Sequence, residues 1–422
     1  MIDPNITAFI KQHVDANGVP KIPNSLWKDF IKKHDKADIK ESLTDYIITN
    51  NIPFPAKMIT YGDMAELFSR FVRTSMLDQY KYPDSVYERA DYKYKYSDKP
   101  LGIIEKSHAY NSVSNYFQQT NRMKCGSNLV DSPWDIWHDR TKLNNMNWHF
   151  WREGALGNSD IDASTFRSAF RIGTYTATQF KPSVAKALYE KHKARKVLDT
   201  SCGWGDRLAG FYATYGTELY VGCDPNPEVY ETYKDQCLEY ENMLGYDAAV
   251  LQDNGDHFIC IGSKKVVIYN LPSEDLDWKK YENTFDFYFT SPPYFETERY
   301  AKQHSSTQSW HRYQSFDSWK NDFFFPVNEK VFSALKDDAY MMINIIEPRI
   351  SKGTRLNLCD DMVDHLTSIG ATYLGKIGMR MQARPHNIVN TDKNSVFVEP
   401  IWVFRKNNTH YANNDSLIKF EN

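Results

Sequence analysis

The stretch KVLDTSCGWGDRLAG, Lys196–Gly210, decides the architecture of this chain. It opens as a short apolar run that ends in Asp199, passes through Gly203 and Gly205, and continues into a segment of helical character. A strand that ends in a glycine turn and feeds a helix is the corner of an α/β layer. Glycine at such a corner lets the backbone turn left-handed and come close to a ligand. In an open doubly wound sheet, ligands bind beyond the carboxyl ends of the strands, which is where this corner lies. Leu208 stands where the third glycine of a G-x-G-x-x-G dinucleotide fingerprint would be, so a pyrophosphate cradle is not the expected use.

The same rhythm continues outward. LYVGCD from Leu219 reads as a second strand and places Asp224 at its end, where a carboxylate can accept the two hydroxyls of a ribose. Then come the helix PEVYETYKDQCLEYENML, the strands KKVVIYN and TFDFYFT, a helix around DSWKNDFFFPVNEKVFSAL, the strand AYMMINII and the helix LCDDMVDHLTSIG. Strands alternating with helices predict a mostly parallel sheet covered on both faces. ATYLGKIGMRM and SVFVEPIWVFRK read as an antiparallel pair at the sheet edge.

The strand TFDFYFT runs into Ser291-Pro292-Pro293-Tyr294. Two prolines cannot continue a ladder, because proline lacks the backbone donor and its φ is fixed, so a rigid corner is expected at Ser291. The segment after it, ETERYAKQHSSTQSWHRYQSFDSW, is long, polar and aromatic, as a loop over a substrate would be; Arg299, Lys302, His311 and Arg312 are its candidate phosphate contacts, and a solvated surface loop is the plain alternative. Arg380, Arg384 and His386 offer a second basic group in GMRMQARPHNI.

Composition narrows the class. With 422 residues the chain has room for two domains. A formal net charge of −3 argues against a polybasic protein and leaves room for a local basic cleft. The 6 cysteines show no C-x-x-C spacing, so neither a zinc cluster nor a disulfide framework is suggested. No apolar run reaches membrane-spanning length and MIDPNITAFIKQHVD lacks a signal-peptide pattern, so an intracellular, cytoplasmic protein without membrane or metal is expected. Before the α/β rhythm, ITAFIKQHV and SLWKDFIKKH have helical spacing, and the tryptophans between Leu129 and Glu153 are expected to pack onto the following domain. YKYPDSVYERADYKYKY, Tyr80–Tyr96, reads either as a half-buried strand or as a stacking surface for a nucleic acid. The expected domains are an accessory or target-recognition region over 1–163, a catalytic domain over 164–406 and a polar tail over 407–422.

LDTSCGWGD followed by YVGCDPN resembles the first two motifs of the class I S-adenosylmethionine-dependent methyltransferases, and TSPPYF resembles the catalytic motif of their DNA amino-methyltransferase branch. RIGTYTATQFKPSVAKAL is similar to the segment that caps the methionine end of the cofactor. The order of cap, glycine turn and Ser-Pro-Pro-Tyr is gamma-like, and the GWGDRLAG and SPPYFETE forms resemble phage-encoded enzymes of this branch. The resemblance spans roughly Phe166 to Lys406. It implies a seven-stranded Rossmann-like methyltransferase fold that binds S-adenosyl-L-methionine and acts on nucleic acid, DNA before RNA. Tyr175, Thr176, Asp199, Gly203, Gly205, Asp224 and Ser273 then match the cofactor site, and Ser291, Pro292, Pro293 and Tyr294 the catalytic corner. Pro272, Glu274 and Asp275 lie near the adenine-contact position, with Asp253 or Asp256 as the competing alignment.

The chemistry fits those residue types. An exocyclic amine is a poor nucleophile because its lone pair is spread into the ring, and acceptors aimed at both amine hydrogens favour a pyramidal nitrogen. The Ser291 hydroxyl and Pro292 carbonyl are two such acceptors; Tyr294 can stack on a flipped base, with Phe295 lining its other side. Serine at the first position leans toward cytosine N4 over adenine N6 by the resemblance. RNA base or protein amide methylation, and a catalytically silent nucleic-acid-binding subunit, are the alternatives; a dehydrogenase is disfavoured by Leu208 and the proline corner.

Overall fold

The computed structural model describes residues 2–82, 86–87, 94–96, 101–105, 108–146, 160–295, 297–351, 354–381 and 396–407. The chain forms two compact units. One comprises Met1–Met58, Gln119–Thr178 and Glu298–Tyr300; the other comprises Ile59–Gln118, Gln179–Thr297 and Ala301–Asn422. Ile59–Gln118 thus groups with the second unit, and residues 164–178 with the first. The tail beyond Asn407 lies outside the described residues.

The smaller unit is mainly helical. Asp3, Asp35, Ser132 and Asp162 each cap a helix start with a side-chain oxygen, which satisfies backbone donors that have no intrahelical partner. The amphipathic segments read at Ile6–Val14 and Ser25–His34 appear as the helices Pro4–Gln12 and Asn24–Ile31, whose Ile6, Ile10, Trp27 and Phe30 enter one core with Leu43, Trp137 and Phe166. Trp137 does not pack onto a following domain: it lies in its own unit's core, with its indole N–H donated to the Ile52 carbonyl at 2.7 Å. Trp148 and Trp151 lie outside the described residues.

Among the described residues, the larger unit is built on a 12-stranded sheet. Its centre runs Lys265–Tyr269, Leu219–Cys223, Lys196–Asp199, Phe285–Thr290, Leu335–Asn344, Val396–Lys406, Ala371–Arg380. The first five of these are parallel and Val396–Lys406 runs antiparallel to both neighbours. This is the expected α/β doubly wound, mostly parallel sheet of a Rossmann-like fold. Phe287 and Phe289 on one face pack edge-on against Tyr189 and Phe180, while Phe285 and Tyr288 enter the opposite core with Trp319 and Trp402. A strand apolar on both faces is what a sheet covered on both sides requires.

Five strands extend the centre. The hairpin Ala249–Asp253 and His257–Ile261 adds to the Lys265–Tyr269 side. Gly102–Ile104 and Tyr80–Lys81 add beyond Ala371–Arg380, and Val86–Tyr87 pairs with Val396–Lys406. The last two long strands do pair antiparallel, but they are not the sheet edge. Gly102 makes the extra layer possible: a Cβ there would collide with the Tyr80 ring. Of Tyr80–Tyr96, the described parts contribute these short strands and Tyr94–Tyr96, and the rest lies outside the described residues.

Two lysines, Lys186 buried and Lys264 half-buried, serve the fold. Lys264 donates to the carbonyls of Phe211 and Thr214 at the end of helix Asp206–Ala213, and burial pulls its pKa down to about 7. Lys186 does the same for Phe71 and Val72 at the end of helix Tyr61–Arg73. Each supplies hydrogens to carbonyls that the helix end leaves without partners.

Candidate active site

The glycine turn and the proline corner leave the sheet side by side. Lys196–Asp199 and Phe285–Thr290 are adjacent and parallel, with Val197 opposite Phe287 and Leu198 opposite Tyr288, so both chains emerge at the same carboxyl end. Asp199 ties them together. Its buried carboxylate accepts from Thr290 Oγ1 at 3.0 Å, from Arg207 Nε at 2.7 Å, from the Tyr220 hydroxyl at 2.6 Å and from the Ser201 N–H at 3.1 Å. Thr200 Oγ1 and the Tyr288 hydroxyl add a second link at 2.8 Å. Asp199, read from sequence as a cofactor residue, is thus committed to protein donors and holds the two corners in register.

Gly203 and Gly205 both take left-handed backbone, with φ of +58° and +68°. A Cβ on Gly205 would collide with the Gln236 amide, whereas one on Gly203 would meet only the Ser201 oxygen at 3.7 Å. Gly205 is therefore required by packing and conformation, and Gly203 by conformation. The Gly203 N–H is donated to Asp224 Oδ2 at 2.9 Å, and Asp224 Oδ1 accepts the Asn226 N–H at 3.0 Å. This half-buried carboxylate stands at the end of Leu219–Cys223, and burial pushes its pKa up to about 6.

At the other corner, Ser291 Oγ lies 3.3 Å from Asn344 Oδ1, and Asn344 Nδ2 donates to the Pro400 carbonyl at 3.0 Å. The Tyr294 hydroxyl donates to Glu399 Oε1 at 2.8 Å and lies 3.3 Å from the Asn344 carbonyl. Pro292 is buried, and Pro293 is half-buried beside it, with its carbonyl accepting the Phe295 N–H at 3.1 Å. Phe295 does not line a base pocket. It is 5% exposed, takes φ +49°, and packs against Phe316 and Trp319 in the core, so it anchors the corner from below.

The remaining sequence candidates fall in several places. Tyr175 and Thr176 belong to the smaller unit, where the Tyr175 hydroxyl is donated to Glu298 and its N–H to the Asp131 carbonyl at 3.0 Å. Ser273 is buried, and its carbonyl accepts the Trp278 indole at 2.9 Å; Pro272 is buried next to it. Glu274 and Asp275 are both paired with Arg312, at 2.9 and 2.8 Å, so this arginine is engaged within the protein and is not a free phosphate contact. Asp253 and Asp256 lie on the exposed outer hairpin, Asp253 paired with Lys234 at 2.6 Å. Arg299 belongs to the smaller unit; Lys302 and His311 are exposed, and Arg380 is paired with Glu105 at 3.3 Å. Arg384 and His386 lie outside the described residues. Asn344, Glu399, Arg207 and Thr290 were not singled out by sequence; the one available signal was Asn344, a lone amide in the apolar run AYMMINII.

No helix among the described residues is long and apolar enough to cross a membrane. No family model matches the chain, and no curated protein matches it either. Among solved structures, the chain is similar to a 1,6-didemethyltoxoflavin-N1-methyltransferase from Burkholderia thailandensis, at 14% identity over 54% of this chain and 78% of that one, with a TM-score of 0.31. It is also similar to an S-adenosylmethionine-dependent O-methyltransferase from Thermotoga maritima, at 12% identity over 57% and 70%, with a TM-score of 0.31. A third is Trm1 from Pyrococcus horikoshii in complex with S-adenosyl-L-methionine, at 14% identity over 56% and 58%, with a TM-score of 0.33.

Proposed function

We propose that this chain is an S-adenosylmethionine-dependent methyltransferase that acts on an exocyclic amine of a base drawn out of a DNA duplex, cytosine N4 in preference to adenine N6. The observation that carries the reading is the adjacent, parallel exit of the glycine turn and the Ser-Pro-Pro-Tyr corner, locked together through Asp199 and Thr290. The residues suit the cofactor: at Gly203 a Cβ would meet only the Ser201 carbonyl oxygen, at 3.7 Å, so a ligand can come close to this backbone, and Asp224 offers lone pairs to ribose hydroxyls. When bound, S-adenosylmethionine supplies an electrophilic methyl group on a sulfonium.

The chain's own residues do the rest. Ser291 Oγ and the Pro292 carbonyl accept the two amine hydrogens and draw the nitrogen toward a pyramidal, nucleophilic form. The proline geometry holds them without further ordering on binding. Tyr294 stacks on the base, its ring held by the hydroxyl bond to Glu399. As the new N–C bond forms, the methyl group's bond to sulfur breaks with its electron pair left on sulfur, and the nitrogen releases one hydrogen as a proton that passes by these acceptors to solvent. The smaller unit then supplies surface for reading the duplex, since a catalytic corner alone offers little.

The test is Ser291→Ala. Transfer to DNA should fall by about 100-fold or more with cofactor affinity kept. Undiminished turnover in the variant would remove the assigned role.

A further inference from the structure

We propose that Asn344 is a positioning residue that turns Ser291 into a pure hydrogen-bond acceptor, and that this is how the corner selects an amino group over a keto oxygen. The inference rests on the functional reading above. Asn344 ends the strand Leu335–Asn344 and is 2% exposed. An amide's two ends are set by their partners. The Pro400 carbonyl can only accept, so it takes the Nδ2 hydrogens at 3.0 Å and leaves Oδ1 facing Ser291. An amide oxygen cannot donate. The serine must therefore give its only hydrogen to Asn344, at 3.3 Å, and keep both lone pairs for whatever meets the corner.

The consequence is chemical. A freely rotating serine could donate to a carbonyl as readily as it accepts from an amine. With its hydrogen held inward, Ser291 meets N–H groups favourably and opposes a keto oxygen with lone pairs. Cytosine and adenine carry an amine at the reacting position, and uracil and thymine do not. Glu399 fixes Tyr294 on the same wall, so both reactive side chains of the corner are oriented from Leu335–Asn344 and Val396–Lys406.

Asn344→Ala and the similarly sized Asn344→Leu should each lower kcat by about ten- to a hundredfold, with KM and cofactor Kd within about threefold. Asn344→Leu guards against loss of folding from a cavity. Asn344→Asp keeps an acceptor for the serine hydrogen but loses the donor to the Pro400 carbonyl, so its kcat should fall between those of wild type and Asn344→Ala. In the Ser291→Ala background, either Asn344 variant should add less than about twofold, because the residue acts through the serine. A full repeat of the loss in that background would overturn the proposal, since it would mark a merely structural role. Crystal structures give a readout without substrate: Ser291 Oγ should occupy one rotamer in wild type and more than one in Asn344→Ala or Asn344→Leu. One unchanged rotamer in those variants would also overturn it. If the wild type transfers no methyl group, the functional reading fails, and the rotamer comparison still decides Asn344.

Discussion

Replacing Asp199 by asparagine keeps the shape and removes the charge, which isolates what the carboxylate does. In the folded protein it accepts from Arg207 Nε and a second Arg207 nitrogen, from Tyr220, from Thr290 and from the Ser201 N–H. Asparagine would turn one of its two oxygens into a donor that faces donors. It would also leave Arg207, only 3% exposed, without its counter-charge. Breaking a buried pair from one side costs about 3–5 kcal/mol, because the remaining charge is buried and uncompensated. No cavity contribution adds, as the volume is conserved. For a unit of this size that corresponds to a fall in Tm of roughly 5–8 °C. Calorimetry should show the fall in the transition of the larger unit, and hydrogen exchange should show faster exchange in Lys196–Asp199. Arg207→Leu alone should also destabilise, and the double variant should lose less than the two single losses added together. A loss below about 1 kcal/mol for Asp199→Asn would refute the claim that this carboxylate locks the two corners.

Other expectations follow from the same geometry. Folded Asp224 holds its proton up to about pH 6, while an unfolded aspartate releases it near about 3.9. Its contribution to stability is thus full below about pH 4 and lost as pH rises through 6, and titrating thermal stability of Asp224→Asn against wild type should show that fall only in wild type. Ribose hydroxyls need the ionised form, so calorimetric cofactor affinity should tighten from pH 5 to 7 in wild type and stay weak and flat in the variant. Gly205→Ala should destabilise by about 1–3 kcal/mol more than Gly203→Ala in urea titration, because only Gly205 faces the buried Gln236 amide. Phe295→Ala should lower stability by about 3–5 kcal/mol as a core truncation, which unfolding curves will separate from a pure loss of turnover.

The sequence carries the sheet centre openly, because strands apolar on both faces and their glycine or proline stops leave a periodic record. It also carries a signal that was missed. VLQDNGDHFICI holds an Asn-Gly between alternating apolar residues, the mark of a tight hairpin, and Gly255 takes φ +84° there. Reading LQDNGD for its acids obscured its turn. Gly102–Ile104 was illegible for another reason: three residues give no periodicity, and their place in the sheet depends on Ala371–Arg380, far along the chain. In the site, the motif residues stood out by type, whereas their partners did not. Nothing local links Thr290 to Asp199 or Asn344 to Ser291; those contacts exist only once the strands lie side by side. Phe295 departs from its expected place because an aromatic next to Tyr294 looks alike in sequence whether it turns outward or, as it does, into the core.

The most direct test of the central claim is nucleoside mass spectrometry of DNA and RNA after incubation with the purified full chain and methyl-labelled S-adenosylmethionine. The account expects labelled N4-methylcytosine, or failing that N6-methyladenine, in DNA, and its loss with Ser291→Ala. Label confined to RNA, or no label in either nucleic acid despite confirmed cofactor binding, would contradict it.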